Sequence, residues 1–144
     1  MNLQTALNLQ IANWNILYTK LHRFHWYVKG PLFFSLHEKF EELYEEAATV
    51  IDETAERLLA IGGEPIATLK QYLETATLSE SSNEKTAKEM VASLANDYQK
   101  IKEDLIVLAN LAEEANHQVI NDLAIGLIEK IETHVWMLNA YLGE

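Results

Sequence analysis

The stretch SLHEKFEELYEEAATVIDETAERL, residues 35–58, repeats apolar side chains every three or four positions and therefore predicts an amphipathic helix. Ser35 followed by Glu38 is a capping-box pattern, which places the start of this helix near Ser35. The Gly62-Gly63 pair is expected to end it. The side chains predicted to face the core are Leu36, Phe40, Leu43, Ala47, Ile51, Ala55 and Leu58.

A second, polar stripe runs along the same helix and consists of His37, Glu41, Glu45, Asp52 and Glu56. At about 100° per residue, these side chains fall within an arc of roughly 100°. At about 1.5 Å per residue, however, His37 lies roughly 22 Å from Asp52, so one chain cannot close both around one ion. Two copies running antiparallel about a two-fold axis near Glu45 would bring His37 of one copy to Asp52 of the other. The spacing therefore predicts a metal site shared between subunits.

Similar periodicity predicts three further long helices, so the fold class is all-α. These helices span about Leu3–Val28, Glu84–Leu111 and His117–Leu142. Residues 64–83 form a connection too long for a hairpin and contain a short amphipathic piece around Leu69–Leu73. Two short connections that flank one long crossover are typical of a ferritin-like four-helix bundle. A single domain is expected over residues 1–144.

Composition restricts the chemistry that this chain offers. Its 144 residues are 49% hydrophobic and 23% charged, which fits one globular domain with a real core. The sequence has no cysteine, so disulfides and thiolate metal sites are excluded, and imidazole and carboxylate remain as the strong ligands. It also lacks the basic start and the long apolar run of a signal peptide or a membrane span. We therefore expect a cytoplasmic location and no membrane association.

Net charge argues against nucleic acid as a direct partner. The formal net charge is −11, from 22 acids against 11 bases, so the average surface should repel phosphate. The first 20 residues contain a single basic residue, Lys20, and neither terminus offers a lysine-rich arm. Direct DNA binding is therefore not expected.

The histidines and acids suit iron, although the usual site of di-iron bundles is incomplete. That site takes a glutamate from each of two helices and a Glu-x-x-His motif from each of the other two. Here the motif occurs once, from Glu114 to His117, at the junction of the third and fourth long helices. We therefore expect no metal site inside the bundle. Histidine and carboxylate ligands without a thiolate favour iron, and zinc suits the same ligands.

The acids of the polar stripe also have a structural interpretation. Glu42, Glu45 and Glu46 are better explained as a solvated helix face than as ligands. Asp52 and Glu56 differ because they stand four residues apart on one face, an arrangement that lets two carboxylates grip one cation. These two acids are therefore kept as candidate metal ligands.

A further histidine, His25, lies near the end of the first predicted helix and directly precedes Trp26. Trp26 has two interpretations, since it either packs against the bundle or lies near a redox metal and acts as an electron donor. His22 and His134 are more simply explained as surface or hydrogen-bonded core residues. Trp14 and Trp136 stand at positions of the helix stripes and are assigned to packing.

Several runs of this sequence resemble the Dps family of mini-ferritins. The runs are residues 22–31, HRFHWYVKGP; residues 34–40, FSLHEKF; residues 52–57, DETAER; residues 62–65, GGEP; and residues 134–138, HVWML. The resemblance covers nearly the whole chain. It implies a four-helix subunit assembled as a hollow dodecamer, with ferroxidase sites at the two-fold interfaces. It further implies that His25 and His37 come from one subunit and that Asp52 and Glu56 come from its partner.

Members of this family oxidise ferrous iron, usually with hydrogen peroxide in preference to oxygen, and store the ferric product as a mineral. The resemblance therefore implies a ferroxidase that takes two iron ions at each shared site and protects against oxidative damage. Glu41 stands where the family often has an aspartate, and it is a further candidate ligand. Iron uptake in the family uses acidic pores near the start of the fourth helix, for which Asp122, Glu113 and Glu114 are candidates.

Two other functions compete with this one. The first is a nucleoid-compacting DNA-binding protein whose ferroxidase activity is secondary, and the shortage of basic residues near the termini favours the enzyme over it. The second is a helical assembly module whose histidines and acids form only a dimer interface, with or without zinc. Replacement of His25 or Asp52 separates this second function from the enzyme, because either change should abolish iron oxidation and leave the oligomer intact.

Overall fold

In the computed structural model, the described part of the chain contains five α-helices. The helices are α1 Leu3–Tyr27, α2 Phe33–Ala60, α3 Leu69–Thr75, α4 Ala87–Glu114 and α5 Gln118–Leu142. The structure describes residues 1–81 and 83–143, so Ser82 in the crossover and Glu144 lie outside the described residues. Within the described residues there is no strand, and no helix is both long and apolar enough to cross a bilayer. The predicted all-α class and the short helix in the long crossover are confirmed.

The four long helices form two antiparallel pairs. α1 packs along α2, and the chain after α2 returns to the start of α1, where the Glu64 amide donates to Gln4 Oε1 (3.2 Å). α4 packs along α5, with Asn121 Nδ2 donating to the Ala109 carbonyl near the turn (2.9 Å). α1 also packs against α4, which joins the two pairs into one bundle. This pairing places the end of α1 beside the start of α2, where two predicted ligands lie.

The buried face of α2 differs from the predicted one in the second half of the helix. Up to Ala47 the buried side chains of α2 match the prediction. Beyond it, Ile51 and Ala55 are only half-buried, and Val50 and Thr54 are buried in their place. On one face of a helix, the next core residue follows after three or after four positions. The prediction took the residue four positions after Ala47, which is the apolar Ile51, whereas the buried one comes after three.

The start of α2 is not capped as predicted. The helix begins at Phe33, and its N-cap residue, Leu32, makes no side-chain hydrogen bond. A capping box lies instead on α4, where Thr86 Oγ1 accepts from the Glu89 amide and Glu89 Oε1 accepts from the Thr86 amide, both at 3.1 Å. The tight turn after α1 sets the start of α2, so Ser35 falls inside its first turn and does not cap it.

Two glycines stop α2 for different reasons. Gly62 has a φ of +85°, in the left-handed region that glycine adopts without strain. Gly63 leaves no room for a side chain, since a Cβ atom there would collide with Leu58 and Gln4. The predicted stop at this pair is confirmed.

The two tryptophans assigned to packing behave differently. Trp14 is fully buried and meets Tyr98 edge to face, with ring centroids 6.2 Å apart, as expected of a core residue. Trp136 is 66% exposed, so its assignment to packing within this chain is wrong. Val119 and Met137 on the same helix are exposed as well, so α5 is apolar on more than one side and its periodicity does not identify the buried face.

Buried polar side chains of α1 fix the crossover and α4. Asn13 Oδ1 accepts hydrogen bonds from the amides of Thr77 and Leu78, at 2.8 and 3.1 Å. Lys20 Nζ lies 2.6 Å from the Asp97 carboxylate, and both residues are buried. Burial raises the pKa of Asp97, although the nearby Lys20 opposes that shift. These contacts hold the rest of the bundle in register with α1.

Candidate metal centre

His25 and His37 are held together by reciprocal contacts with the backbone. His25 Nδ1 lies 2.6 Å from the carbonyl oxygen of His37, and His37 Nδ1 lies 2.7 Å from the carbonyl oxygen of His25. A carbonyl oxygen only accepts, so each Nδ1 carries a proton and donates it. In the neutral imidazoles, each Nε2 is therefore left as a free acceptor, which is the form that binds a metal.

The two imidazole rings are also stacked face to face. Their centroids lie 3.7 Å apart and their planes differ by 12°. The lone pair of Nε2 lies in the plane of its ring, so the lone pairs of two stacked rings do not converge on one point. This geometry suits two ions held side by side, one on each imidazole, better than one ion held by both.

An aromatic side chain contacts each ring of this stack. Phe33 stacks on His37 with ring centroids 4.9 Å apart, and Tyr44 meets His25 edge on at 5.4 Å. His25 is only 6% exposed, and His37 is half-buried. The ring contacts and the backbone hydrogen bonds together fix the orientation of both histidines before an ion arrives.

Glu41 is the acid that the fold brings to these histidines. Its Oε1 atom lies 3.8 Å from His25 Nε2, and 48% of its side chain is exposed. When His25 is neutral, these two atoms are both acceptors, because the ring proton is on Nδ1. Two facing acceptors repel each other unless a proton or a metal cation lies between them. Glu41 is thus placed to share a cation with His25.

Asp52 and Glu56 stand apart from this group. Both are exposed on α2, which is unbroken along its whole length. The helix therefore holds His37 and Asp52 roughly 22 Å apart along its axis. Among the described residues, no three histidine, aspartate or glutamate side chains are placed to hold one ion. Within one chain, the two imidazoles and Glu41 lie close together, and Asp52 and Glu56 are not part of that group.

A cluster of aromatic rings borders the histidine pair. Tyr44 packs against His22 with ring centroids 4.0 Å apart, and Trp26 stacks on His22 at 5.3 Å. Tyr18 meets His22 edge on at 4.5 Å. His22 is therefore a packed residue, as expected, but it packs beside the candidate ligand His25. Trp26 is 68% exposed and does not belong to the core of this chain.

Tyr44 is the residue of this cluster that sequence reasoning missed. Its hydroxyl donates to Glu41 Oε1 at 3.5 Å. Burial and the charges of Glu41 and Glu45 raise the pKa of Tyr44, so the phenol keeps its proton near neutral pH. Tyr44 follows His37 by seven residues, which places it on the polar stripe, so the periodicity contained the signal.

Two of the three predicted pore residues line separate surface pockets near the start of α5. Glu113 lines a polar pocket of about 380 Å³ together with His117. Asp122 lines another pocket of about 380 Å³, together with Glu56. Glu114 is exposed and lines neither of them. A single chain therefore does not bring the three acids to one opening.

Glu46 is not the solvated side chain that the sequence suggested, whereas Glu42 and Glu45 are exposed as expected. Glu46 is half-buried, and its Oε1 atom lies 2.9 Å from His134 Nε2 in a contact between α2 and α5. Burial alone would raise the pKa of Glu46, but the hydrogen bond and charge of His134, with help from Lys130, lower it. The prediction was wrong because the contact depends on where α5 lies.

Replacement of Glu46 by glutamine should reduce the dependence of stability on acid pH. A carboxylate whose pKa is lowered in the folded state stabilises the fold above its unfolded pKa, and it loses that contribution as the pH falls through the folded pKa. We expect Glu46→Gln to lower the free energy of unfolding by about 1 kcal/mol near neutral pH and by less in acid. Urea unfolding over a pH series at one protein concentration measures the effect. The exposed Glu42→Gln is the control, and a wild-type curve parallel to that of Glu46→Gln would contradict the pairing.

Comparisons with known proteins agree with this arrangement of helices. A family model of the ferritin-like domain matches residues 4–144. The chain is 50% identical over 139 residues to DNA protection during starvation protein 2 of Bacillus anthracis, covering 96% of this chain and 95% of that protein. It is 52% identical over 138 residues to General stress protein 20U of Bacillus subtilis, with coverage of 96% and 95%. The crystal structure of Dps from Staphylococcus aureus matches with a TM-score of 0.95 at 46% identity, covering 97% of this chain and 94% of that one.

Proposed function

Because the chain belongs to the Dps family of ferritin-like proteins, we propose that it is a ferroxidase and an iron store. It oxidises ferrous iron, with hydrogen peroxide as the favoured oxidant and oxygen as the alternative. The ferric product is stored as a mineral inside a hollow dodecamer of identical subunits. Iron is thus both substrate and cargo, and its removal together with peroxide protects against oxidative damage.

The observation that carries this proposal is the pair of facing acceptors, His25 Nε2 and Glu41 Oε1, 3.8 Å apart. A cation between them relieves the repulsion, and the stacked ring of His37 offers a second nitrogen for a second ion. Imidazole and carboxylate ligands suit ferrous and ferric iron. Zinc fits the same ligands and has no redox chemistry, so it is expected to compete with iron and to block turnover.

A second copy of the chain is proposed to complete each site with its Asp52 and Glu56. These two carboxylates are too far along α2 to reach the histidines of their own chain, and an antiparallel copy supplies them. Apolar side chains near both ends of α2 also lie in solvent in the single chain, which supports a subunit contact on this side. They are Trp26, Phe34, Leu59, Leu69 and Leu73.

Two ferrous ions at one site supply the two electrons that peroxide needs. Each ion gives one electron, and peroxide takes up two protons to become two water molecules, leaving two ferric ions. Because both electrons reach the O–O bond at one place, no hydroxyl radical is released. The stacked histidines favour this reaction, since their geometry suits two ions side by side.

The acidic residues near the start of α5 are proposed to lead iron to the interior. Asp122, Glu113 and Glu114 remain the candidates, and their separate positions on one chain require neighbouring subunits to form an opening. Direct DNA binding is not part of the proposal, because the net charge of −11 on each subunit opposes contact with phosphates.

The test of this function is peroxide consumption by the iron-loaded protein. Apo-protein receives two ferrous ions per subunit without oxygen, and hydrogen peroxide is added while ferric absorbance and residual peroxide are followed. We expect oxidation much faster than in a protein-free blank, with about one peroxide consumed per two ferrous ions. Protein preloaded with zinc is the control and should be slow. A rate equal to that of the blank would rule out the enzyme.

A further inference from the structure

The carboxylate that faces His25 belongs to a long and largely exposed side chain. Glu41 has one more rotatable bond than an aspartate, and 48% of its side chain is exposed. Ordering such a side chain around an ion costs conformational entropy. The cost is smaller if a neighbouring group already holds the carboxylate where the ion will bind.

The position of the Glu41 carboxylate suits an ion shared with His25. Zinc bonds to nitrogen and oxygen ligands are about 2.1 Å long, so two atoms that bind one ion lie at most about 4.2 Å apart. Glu41 Oε1 lies 3.8 Å from His25 Nε2, which is within that limit. Rotation of Glu41 to another rotamer would take the oxygen out of reach.

Tyr44 contacts the same oxygen atom of Glu41. Its hydroxyl donates to Glu41 Oε1 at 3.5 Å, and the two residues stand three positions apart on one face of α2. Hydrogen bonds in a site without its substrate are often long, and they tighten when the substrate binds. A carboxylate oxygen has two lone pairs, so Oε1 can accept from Tyr44 and still bind an ion.

The ring of Tyr44 is itself held in place. It packs against His22 with ring centroids 4.0 Å apart, and it meets His25 edge on at 5.4 Å. Tyr18 meets it edge on from a third direction, at 6.1 Å. A donor on a ring fixed by packing restricts the side chain that it bonds to.

We infer that Tyr44 is a positioning residue, which holds the Glu41 carboxylate toward His25 and thereby raises the affinity of the shared site for ferrous iron. This inference rests on the proposed function, because it concerns the same ions. Tyr44 acts through Glu41 and touches neither the ion nor the oxidant. Removal of its hydroxyl should therefore weaken metal binding and leave the rate of the fully loaded site almost unchanged.

Zinc binding tests this role without any redox step. Zinc is titrated into the apo-protein by calorimetry, for the wild type and for Tyr44→Phe, which keeps the packed ring and lacks the hydroxyl. We expect the dissociation constant to rise roughly 10-fold, the lower end of the loss for a group that orients a metal ligand. Tyr18→Phe is the matched control and should bind zinc as the wild type does. Tyr18 packs against the same His22, but in the described chain its hydroxyl donates to no carboxylate.

Two further measurements distinguish positioning from general damage to the fold. In the Glu41→Ala background, Tyr44→Phe should cause no further loss of zinc affinity, because the carboxylate that it holds is gone. In the oxidation of ferrous iron by peroxide, Tyr44→Phe should raise the iron concentration at half the maximal rate by roughly 10-fold and keep the maximal rate within about twofold. A damaged fold would lower the maximal rate as well.

Three outcomes would overturn the assignment of Tyr44. They are an unchanged zinc affinity in Tyr44→Phe, an equal loss of affinity in Tyr18→Phe, and the same loss from Tyr44→Phe when Glu41 has been replaced by alanine. Failure of the proposed function is recognised separately. A wild-type protein whose zinc affinity depends on Tyr44, but which does not accelerate iron oxidation, would reject the ferroxidase and keep Tyr44 as a positioning residue of a metal site.

Discussion

Replacement of His25 by alanine is expected to slow the oxidation of ferrous iron by peroxide by roughly 100-fold, about the effect of losing a residue that orients a metal ligand. His25 contributes a free Nε2 that faces Glu41, and its ring and Nδ1 hold His37 in place. The change therefore removes one ligand and loosens another. Stopped-flow measurement of ferric absorbance, at two ferrous ions per subunit, gives the ratio of rates.

Two further variants test whether the slower oxidation results from the loss of the His25 nitrogen. His25→Phe keeps an aromatic ring in the stack but has no nitrogen, so it should be as slow as His25→Ala. His134→Ala is the matched control, because His134 lies on α5 and contacts Glu46, which is outside the proposed ligands. A folded and assembled His25→Ala protein that oxidises iron at the wild-type rate would exclude His25 as a ligand.

The fold was predictable from the sequence where local chemistry alone decides it. Periodic apolar residues defined four long helices, and Gly62 ended α2 because the turn there needs a positive φ. The positions that failed depend on neighbouring elements. Ser35 carries a capping pattern, but the tight turn from α1 starts the helix before it. Thr54 is buried despite its hydroxyl because the rotation of α2 against its neighbours places it inward.

The sequence predicted imidazole and carboxylate ligands, and the structure brings His25, His37 and Glu41 together. Because α2 is one unbroken helix, it keeps Asp52 far from His37 within one chain, so completion of the site by a second subunit stays a prediction. The sequence spacing did not predict the hydrogen bonds that orient His25 and His37. The exchange of hydrogen bonds between each Nδ1 and the other residue's carbonyl requires α1 and α2 to meet end to end, and that contact joins residues 12 positions apart. Tyr44 carries a hydroxyl, which is neither a carboxylate nor an imidazole, so a pattern of metal-ligand types does not include it.

The contact of Glu46 also depends on a distant element of the fold. On α2 alone, Glu46 is one of several acids on a polar face, and nothing local distinguishes it from Glu42. Its partner, His134, lies 88 residues away on α5, and only the closed bundle brings the two within 2.9 Å. An acid near a histidine is therefore no sufficient sign of a metal site. What distinguishes the contact of His25 with Glu41 is that the imidazole donates its Nδ1 proton to the His37 carbonyl, which leaves Nε2 as an acceptor facing the carboxylate.

A mixture of two inactive variants should recover about one quarter of the wild-type activity, which is the most direct test of a site shared between subunits. The variants are His25→Ala and Asp52→Asn, each expected to be nearly inactive alone. When one subunit of each kind pairs, one of the two sites carries both defects and the other carries neither. Random pairing makes about half of all pairs mixed, and half of their sites are intact. If each subunit completed its own site, no mixture would recover activity.

The control mixture distinguishes this recovery from a general effect of mixing. His25→Ala and His37→Ala both damage the histidine side of the site, so every site in a mixed pair keeps one defect and no activity should return. The variants are unfolded together, refolded at equal amounts and checked for mixed assemblies by mass spectrometry. Mixed assemblies of His25→Ala and Asp52→Asn that stay inactive would contradict a site shared between two subunits, and an active Asp52→Asn protein would place Asp52 outside the site. Equal recovery in the control mixture would show that the histidines are not required as a pair.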